Sequence, residues 1–320
     1  MKSSIFKINL PPLLILLYFG TFFGCRQQHT ERAPNIVFFL SDDHACEAIS
    51  SYGSQLVETP HIDKLASEGM QFNNCFAVEA ICRPSRTSIL TGKYGHITGG
   101  TGWNFYDTAA HKTFPEYLRE SGYQTALFGK FHIGTQPRGF DAWEILPGQG
   151  RYNNPELISP DGKKSYDGHI SDVVVDLAID WMDQLQQDRP FMVCINDKAV
   201  HMPFIPPDRW MHYFDDKDIE EPQSLFWDLD HPDHPASRCD LLIDSLPHWQ
   251  RAIWGETPQN LDQESRRKWI YNIYMKYYLG SVKGIDENIG RFTEYLKEKG
   301  LYDNTIVIYS SDQGFLLGQK

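Results

Sequence analysis

The sequence lacks several features that would assign it to a common class of protein. No two cysteines are spaced as Cys-x-x-Cys, so a structural zinc site is not expected. No apolar run reaches the ~20 residues that a membrane-spanning helix needs, and the run from Leu13 to Phe23 is too short. No internal repeat or low-complexity tract is present, so a repeat architecture is not expected either.

Positive charge is also scarce. The chain has 30 Lys and Arg against 42 Asp and Glu, which gives a formal net charge of −12 at pH 7. A general nucleic-acid binder needs a basic face, so this function is excluded. An anionic small substrate remains possible, because a few cations in a pocket can outweigh the global field. The 320 residues, of which 41% are hydrophobic, suffice for one large α/β domain.

The first 25 residues have the pattern of an export signal. Lys2 and Lys7 provide a positively charged start, and the apolar run follows. The segment from Phe22 to Cys25 resembles a lipobox, which predicts cleavage and acylation at this cysteine, followed by a tether over residues 26–33. A simple secretion signal with an incidental cysteine is the alternative. Both interpretations place the mature protein outside the cytoplasm, in the periplasm or at the cell surface.

Four further cysteines have an open redox state: Cys46, Cys75, Cys194 and Cys239. Export permits disulfides, and the sequence does not determine a pairing. Cys75 and Cys194 lie in apolar, strand-like runs, which also allows them to be buried thiols.

Strands and helices are predicted to alternate along the chain. The predicted strands are 35–40, 71–77, 124–129, 191–195 and 304–309, and the predicted helices are 60–68, 84–92, 114–121, 173–185 and 271–299. This alternation indicates an α/β, doubly wound sheet with helices on both faces. Residues 205–265 are rich in Pro, Asp, His and Trp and show little periodicity. They are interpreted either as a wall of the substrate pocket or as a solvated insertion.

Charged and polar side chains follow the ends of the predicted strands. They are Asp42, Asp43, Lys130, His132, His201 and Asp312. Ligand-binding residues of open α/β sheets gather at the carboxyl ends of the strands, so we expect these six to share one site. His44, His61 and His96 are interpreted as ordinary structural histidines.

The acidic pairs predict a metal site. Adjacent carboxylates at a strand end are costly unless a cation neutralises them, and Asp42 and Asp43 follow one buried strand. Asp312 and Gln313 follow another, and Gln313 supplies an amide oxygen. Such hard oxygen donors suit Ca²⁺, with Mg²⁺ as the alternative.

One motif connects these residues to a known family. The sequence from Cys82 to Arg86 reads Cys-Arg-Pro-Ser-Arg and continues through Leu-Thr-Gly-Lys-Tyr to Tyr94. With Asp42-Asp43, the segment from Gly129 to Gly134, His201 and Asp312-Gln313, the motifs stand in the order typical of the type I sulfatases. From about Pro34 to Lys320 the chain resembles this family of the alkaline-phosphatase superfamily.

The resemblance implies a nucleophile that the gene does not encode directly. In this family the cysteine at the position of Cys82 is oxidised to formylglycine by a formylglycine-generating or radical maturation enzyme. One hydroxyl of the aldehyde hydrate attacks sulfur, and the other expels sulfate from the covalent intermediate. The metal ligands implied are Asp42, Asp43, the converted Cys82, Asp312 and Gln313.

The resemblance also implies catalytic roles for Cys82 and four basic side chains. Arg86, at i+4 on the helical face of Cys82, would hold the hydrate. Lys130 would bind a sulfate oxygen and His132 would orient or deprotonate a hydroxyl of the hydrate, both facing one side of an extended segment. His201 would assist departure of the leaving group.

Further segments resemble the N-acetylglucosamine-6-sulfatase-like branch. They are Leu146 to Gly150, Tyr152 to Pro155, and Lys198 three residues before His201. This resemblance implies an exo-acting enzyme on a sulfated glycan. Family members continue with another sulfate-binding lysine and an antiparallel C-terminal subdomain. Residues 34–320 are therefore expected to be an incomplete catalytic domain, poorly stable and weakly active or inactive.

Two alternative functions remain open at the level of the sequence. One is a phosphodiester or phosphonate monoester hydrolase of the same superfamily, which would prefer two transition metals. The other is a surface-anchored glycan-binding lipoprotein without catalysis. No nucleic-acid partner is expected, and contact with a membrane is expected only through the lipid anchor at Cys25.

Overall fold

The computed structural model describes residues 32–101, 110–186, 188–234, 237 and 243–318. Within these residues seven strands form one mixed sheet of order β5-β4-β3-β2-β6-β1-β7. The strands are β1 Asn35–Ser41, β2 Gln124–Gly129, β3 Ala142–Ile145, β4 Glu156–Ser159, β5 Gly162–Ser165, β6 Phe191–Asn196 and β7 Thr305–Ser311. The five strands from β3 to β7 in this order are parallel, and β4 and β5 are added antiparallel at one edge.

The central strands are covered on both faces. Every residue of β2 and β6 is buried. Alternate residues of β2 contribute to separate clusters, since Ala126 and Phe128 belong to the larger core and Leu127 to a smaller one. Helices therefore lie on both faces of the sheet, which confirms the predicted fold class.

The described helices are unequal in length. They are α1 Pro60–Glu68, α2 Cys82–Thr91, α3 Gly95–Thr98, α4 Phe114–Glu120, α5 Ile170–Met182, α6 Trp227–Asp230, α7 Leu246–Trp254 and α8 Gln263–Glu298. Helix α5 packs on β2 and β6, and α8 packs on α1 and α5. Helix α4 packs on β2 from the other face, next to α2. None of the described helices combines the length and apolar character that crossing a lipid bilayer requires.

Several boundaries differ from the sequence-based expectations. The strand predicted over residues 71–77 is wrong, because this segment has bends at Asn73-Asn74 and an exposed Phe76. The β4–β5 hairpin was not predicted, since the four residues of β5 are all exposed and carry no apolar alternation. Helix α8 begins eight residues earlier than expected, where the Asp262 side chain accepts a hydrogen bond from Ser265 N.

The segment 205–265 packs against the body of the domain. Phe214, Leu225 and Leu246 are each at most 3% exposed and belong to the main core cluster. The buried Arg267 of α8 forms an ion pair with this segment, in which Nη1 lies 2.8 Å from Asp228 Oδ1. The expectation of a solvated insertion is therefore wrong. The expectation that this segment walls the substrate pocket stays a prediction.

The cysteines divide by exposure. Cys46, Cys75, Cys82 and Cys194 are free thiols among the described residues, and Cys82 and Cys194 are buried. Cys194 is thus a buried thiol as expected, whereas Cys75 is exposed and the corresponding expectation is wrong. Cys25, Cys239 and the export signal lie outside the described residues.

Candidate active site

The ends of four neighbouring parallel strands converge on one point. The strand register pairs Leu40 of β1 and Gly129 of β2 with Asn196 of β6, and Ser41 with Ser311 of β7. The residues that follow these strands are therefore neighbours. They are Asp42 and Asp43 after β1, Lys130 after β2, Lys198 after β6, and Asp312 and Gln313 after β7.

Helix α2 brings the remaining side chains to the same place. It begins at Cys82, two residues before the predicted start, and its second turn carries Arg86. Both residues are buried, with exposures of 7% and 2%. Arg86 crosses the site, because Nε lies 2.8 Å from Asp312 Oδ2 and Nη1 donates to Lys130 O at 2.6 Å.

Three carboxylates form the floor of the site. Asp42, Asp43 and Asp312 each place an oxygen within 4.8 Å of the others, and all three are buried. Asp43 N donates to Asp312 Oδ1 at 3.2 Å, which holds the two loops together. Asp43 has a φ of 63°, a left-handed conformation whose cost is typical of functional sites.

The neighbouring cations stabilise the negative charges of these three carboxylates unequally. Burial alone would raise the pKa of Asp42, but the Lys130 and Arg86 cations outweigh it and hold the pKa well below its ordinary value. For Asp43, burial and the charge of Asp42 raise the pKa to about 7. Burial and the same neighbour raise the pKa of Asp312 well above its ordinary value. The three carboxylates therefore need more positive charge than the protein supplies.

A hard divalent cation fits this donor set. Asp42 Oδ1 is buried without a hydrogen-bond partner among the described residues, although Arg86 Nη2 lies 3.7 Å away. The amide nitrogen of Gln313 contacts Asp43 Oδ1, and a half-turn of this amide would present its oxygen to the same point. Ca²⁺ prefers such a set of carboxylate and amide oxygens.

Cys82 lies at the edge of the floor. Its Sγ is 3.8 Å from Asp43 Oδ1 and 3.8 Å from Gln313 Nε2. Burial and the charge of Asp42 raise the pKa of the thiol far above its ordinary value. An unmodified Cys82 is therefore a neutral thiol and a poor nucleophile at neutral pH.

Two histidines border the site. His201 Nε2 lies 4.0 Å from Asp43 Oδ2, and Nδ1 donates to Met202 O at 2.6 Å. Burial and the nearby Lys130 lower the pKa of His201 to about 4. The same two causes lower the pKa of His132 to about 3.

The backbone at His132 differs from the expectation. The extended segment predicted for Lys130 and His132 is wrong, because His132 has a φ of 55°. The left-handed turn leaves Lys130 fully buried and His132 half-buried. Nδ1 of His132 is buried without a hydrogen-bond partner in the described part of the chain.

The structure also adds residues that had been given no role. Gln149 Oε1 accepts a hydrogen bond from Lys130 Nζ at 2.6 Å, so it orients this lysine beside Asp42. The Tyr152 hydroxyl donates to His201 O, and Lys198 Nζ lies 4.9 Å from the centre of the Tyr152 ring. In the sequence, Gln149, Tyr152 and Lys198 are notable only for the branch resemblance. The signal that could have identified Lys198 is its charged side chain shortly after a predicted strand.

The three histidines that were predicted to be structural, His44, His61 and His96, make structural contacts. His44 is buried, with its backbone N donating to Ser311 Oγ at 2.9 Å. His61 packs against Gly290 of α8, and His96 stacks on Tyr94 at the surface. The position of a histidine near the end of a strand therefore does not show whether it stabilises a loop or faces the candidate site.

Comparison with protein families and curated relatives agrees with this geometry. The family model described as Sulfatase matches residues 34–320. An N-acetylglucosamine-6-O-sulfatase of Bacteroides thetaiotaomicron is 34% identical, over 99% of this chain and 64% of the relative. The ulvan-active sulfatase of Formosa agariphila is 27% identical, over 96% of this chain and 57% of the relative. The chain thus spans less than two thirds of the length of either relative.

Solved structures give a similar result. A protein in complex with its substrate D-glucosamine-2-N,6-O-disulfate superposes with a TM-score of 0.84 at 34% identity, over 90% of this chain and 67% of that one. The phosphonate monoester hydrolase of Agrobacterium radiobacter superposes with a TM-score of 0.64 at 19% identity, over 89% and 64%. The second likeness concerns the fold alone.

Proposed function

The chain belongs to the sulfatase family, and from this premise we propose that it hydrolyses sulfate esters of a glycan. The proposed substrate class is a glucosamine or N-acetylglucosamine residue sulfated at the 6-O position. The observation that carries the proposal is the meeting of Cys82, three carboxylates and the cations Arg86 and Lys130 at one buried point. The relatives that act on 6-O-sulfated glucosamine support the choice of sugar.

Two groups would complete the site. Asp42, Asp43, Asp312 and Gln313 would hold Ca²⁺, or Mg²⁺, beside position 82. The cation would supply Lewis-acid polarisation of the sulfate oxygens, and formylglycine formed from Cys82 would supply the nucleophilic hydrate.

The basic side chains of the chain itself have separable tasks. Lys130, oriented by Gln149 at 2.6 Å, binds an oxygen of the sulfate group. Arg86 neutralises Asp312 and borders the reacting group. Both charges are presented from buried positions, where an electrostatic interaction with sulfate is stronger than in water.

The histidines border the reacting group as neutral side chains. Burial and the charge of Lys130 lower the pKa of His132 to about 3, so its ring is neutral at pH 7, and its Nδ1 has no hydrogen-bond partner among the described residues. In the proposed reaction His132 orients a hydroxyl of the hydrate. His201 is held by the bond from Nδ1 to Met202 O, which leaves Nε2 facing the carboxylates. In the proposed reaction Nε2 contacts the oxygen of the leaving group.

Export and lipid anchoring are part of the proposal. Lys2, Lys7 and the segment from Phe22 to Cys25 support a periplasmic or cell-surface location with a lipid at Cys25. A maturation enzyme that converts Cys82 is the corresponding protein partner.

The experiment that tests the function combines chemistry with turnover. The full chain is produced in its native host, the peptide across Cys82 is weighed, and release of sulfate from 6-O-sulfated N-acetylglucosamine is measured with Ca²⁺. We expect a mass about 18 Da below that of the cysteine peptide, together with sulfate release. Cys82→Ala should lower kcat by at least ~10³-fold, because the nucleophile is lost.

The matched control is Cys46→Ala, which changes an exposed free thiol and should retain turnover. Converted protein that releases no sulfate would contradict the proposal. Binding of the glycan by a chain whose Cys82 stays a thiol would favour a non-catalytic lipoprotein. Faster turnover of an aryl phosphodiester than of an aryl sulfate would favour the phosphonate and phosphodiester hydrolases.

A further inference from the structure

Lys198 is a buried cation that lacks an anionic partner. It lies two residues beyond β6 and is 2% exposed. Among the described residues its ammonium makes neither an ion pair nor a hydrogen bond, and it lies 4.9 Å from the centre of the Tyr152 ring. Lys130 is equally buried but is paired with Asp42 and Gln149. Lys130 therefore has an anionic partner in the free protein, whereas Lys198 has none among the described residues.

The contact with Tyr152 compensates only part of the cost of burying Lys198. An isolated ammonium inside a protein loses its hydration, and a cation–π contact returns about 0.5–2 kcal/mol. Burial and the charge of Lys130 also lower the pKa of Lys198 to about 8. A buried position of this kind is favourable only when an anion arrives to pair with it.

The surroundings of Lys198 place it at the reacting end of the site. Lys130, Asp42 and Asp43 lie close enough for their charges to act on its ammonium. Tyr152, the ring that Lys198 contacts, donates its hydroxyl to His201 O. Tyr152 thus links Lys198 to the histidine assigned to the leaving group.

The loop that carries Lys198 is held rigidly. Asp197 N donates to Leu40 O at 2.9 Å, and Val200 N donates to Asp42 O at 2.7 Å. The Asp197 side chain accepts from Ser171 Oγ at 2.8 Å and from Ala199 N at 2.9 Å. Asp197 and Val200, on either side of the lysine, are therefore attached to β1, α5 and the loop that carries Asp42. The backbone that carries Lys198 is preorganised, so less entropy is lost when a ligand pairs with the ammonium.

We propose that Lys198 is a second sulfate-binding cation, which donates a hydrogen bond to a non-bridging oxygen of the sulfate ester opposite Lys130. This inference rests on the proposed function and deepens it. A sulfate monoester carries one negative charge shared by three terminal oxygens, so two lysines and the metal site can each take one. The ester thereby supplies the anion that Lys198 lacks in the free protein.

The test uses inorganic sulfate as the probe and the full chain with Ca²⁺ present. Sulfate affinity is measured by calorimetry and as competitive inhibition of ester hydrolysis, at constant ionic strength with chloride. Lys198→Met should weaken sulfate binding and raise KM by about 10- to 100-fold, the range for a hydrogen bond to a charged group. Lys198→Arg should recover part of the affinity.

Thermal unfolding without sulfate supplies a readout that a structural role would not produce. Since Lys198→Met removes a buried unpaired charge, its Tm should equal or exceed that of the wild type. The matched control is Lys164→Met, because Lys164 lies 4.5 Å from the Tyr166 ring but is exposed on β5. This control should keep the wild-type sulfate affinity.

The outcomes separate this inference from the function on which it rests. If the wild type releases sulfate and Lys198→Met keeps its KM and sulfate affinity, the assignment of Lys198 is overturned and the function stands. A lower Tm of Lys198→Met with unchanged sulfate affinity would also overturn the assignment, because it would show that Lys198 serves to stabilise the position of Tyr152. If converted wild-type protein neither hydrolyses the ester nor binds sulfate, the proposed function fails as well.

Discussion

Asp42 illustrates how a single buried residue can serve several partners. Its carboxylate is fully buried, pairs with Lys130 and faces Arg86, yet Oδ1 retains free coordination capacity. Breaking such a pair is expensive, because the remaining charge is left buried alone. The residues of the site therefore depend on one another, and substitutions within the set are not expected to be additive.

Gln149 offers a test at the scale of one residue. Gln149→Leu removes the acceptor that lies 2.6 Å from Lys130 Nζ, so the lysine is expected to lose its orientation toward substrate. We expect kcat/KM to fall by about 10- to 100-fold in steady-state kinetics, the range for a hydrogen bond to a charged group. Gln184→Leu is the control, since Gln184 is exposed and its side chain donates to Asp180 O in the same segment. Unchanged kcat/KM in Gln149→Leu would show that Asp42 alone orients Lys130.

At the scale of elements, turns between strands and helices carry much of the precision. Gly129 ends β2 with a φ of 105°, and a Cβ there would lie 2.0 Å from Asn196 O. Only glycine permits this approach, which lets Lys130 N donate to Asn196 O at 2.8 Å. The position of Lys130 thus follows from backbone contact between β2 and β6.

The start of helix α5 predicts a pH dependence of stability. His169 Nε2 donates to Ile205 O at 2.9 Å, and Nδ1 accepts from Ser171 N at 3.3 Å, so the second bond requires the neutral ring. Burial lowers the pKa of His169 from its ordinary 6.5, so the unfolded chain binds this proton more readily. Its contribution is therefore complete above pH 6.5 and declines as the pH falls below that value.

Denaturant unfolding between pH 5 and 8 would measure this effect. His169→Asn should be less stable than the wild type at pH 8, because the bond to Ile205 is lost, and should show a weaker loss of stability toward pH 5. An equally steep loss in the variant would assign the pH dependence to other groups.

The buried ion pairs of α8 predict the stability of the neighbouring segment. Arg267 is 1% exposed and pairs with Asp228 and Asp244. Arg267→Met should lower the free energy of unfolding by about 3–5 kcal/mol, because two carboxylates lose their buried partner. Arg266→Met, one residue away and 40% exposed, should cost less than about 1 kcal/mol. Equal losses in urea titrations of the two variants would contradict this account.

At the scale of the whole molecule, cations are concentrated in one place inside an acidic chain. The chain carries a net charge of −12, yet Arg86, Lys130 and Lys198 are buried together at the strand ends. Low-dielectric surroundings strengthen the attraction of these cations for a bound anion, whereas solvent screens the charges of the acidic surface. An anion can therefore bind at a point inside an acidic protein.

Metal removal tests the carboxylate floor through global stability. A cation that binds the folded state at 100 times its Kd adds about 2.7 kcal/mol, so chelation of Ca²⁺ should lower Tm by several degrees. Asp312→Asn should abolish this dependence on Ca²⁺. Asp176→Asn, at an exposed carboxylate that pairs with Arg291, should retain it. Calorimetric scans in which chelator has no effect on the wild type would count against a metal at this site.

Much of the fold was predictable from local patterns. The continuous apolar run of β1 identified a buried parallel strand, because both faces of such a strand are covered. The strand ends identified the polar residues of the site, and the motif at Cys82 identified the family. The β4–β5 hairpin and the absence of a strand at 71–77 could not be read in the same way, since exposed strands and bent apolar loops have no distinctive period.

The sequence by itself determined which residue types are available and the order in which they leave the strands. Periodicity and motif spacing are properties of the local sequence, so they can be recognised without knowledge of the fold. Only the tertiary structure decided that Gln149 orients Lys130, that Tyr152 contacts Lys198, and that Lys198 has no anionic partner in the part of the chain that the structure describes. These relations join residues 19 to 46 positions apart, and burial and electrostatic pairing arise only when distant strand ends meet.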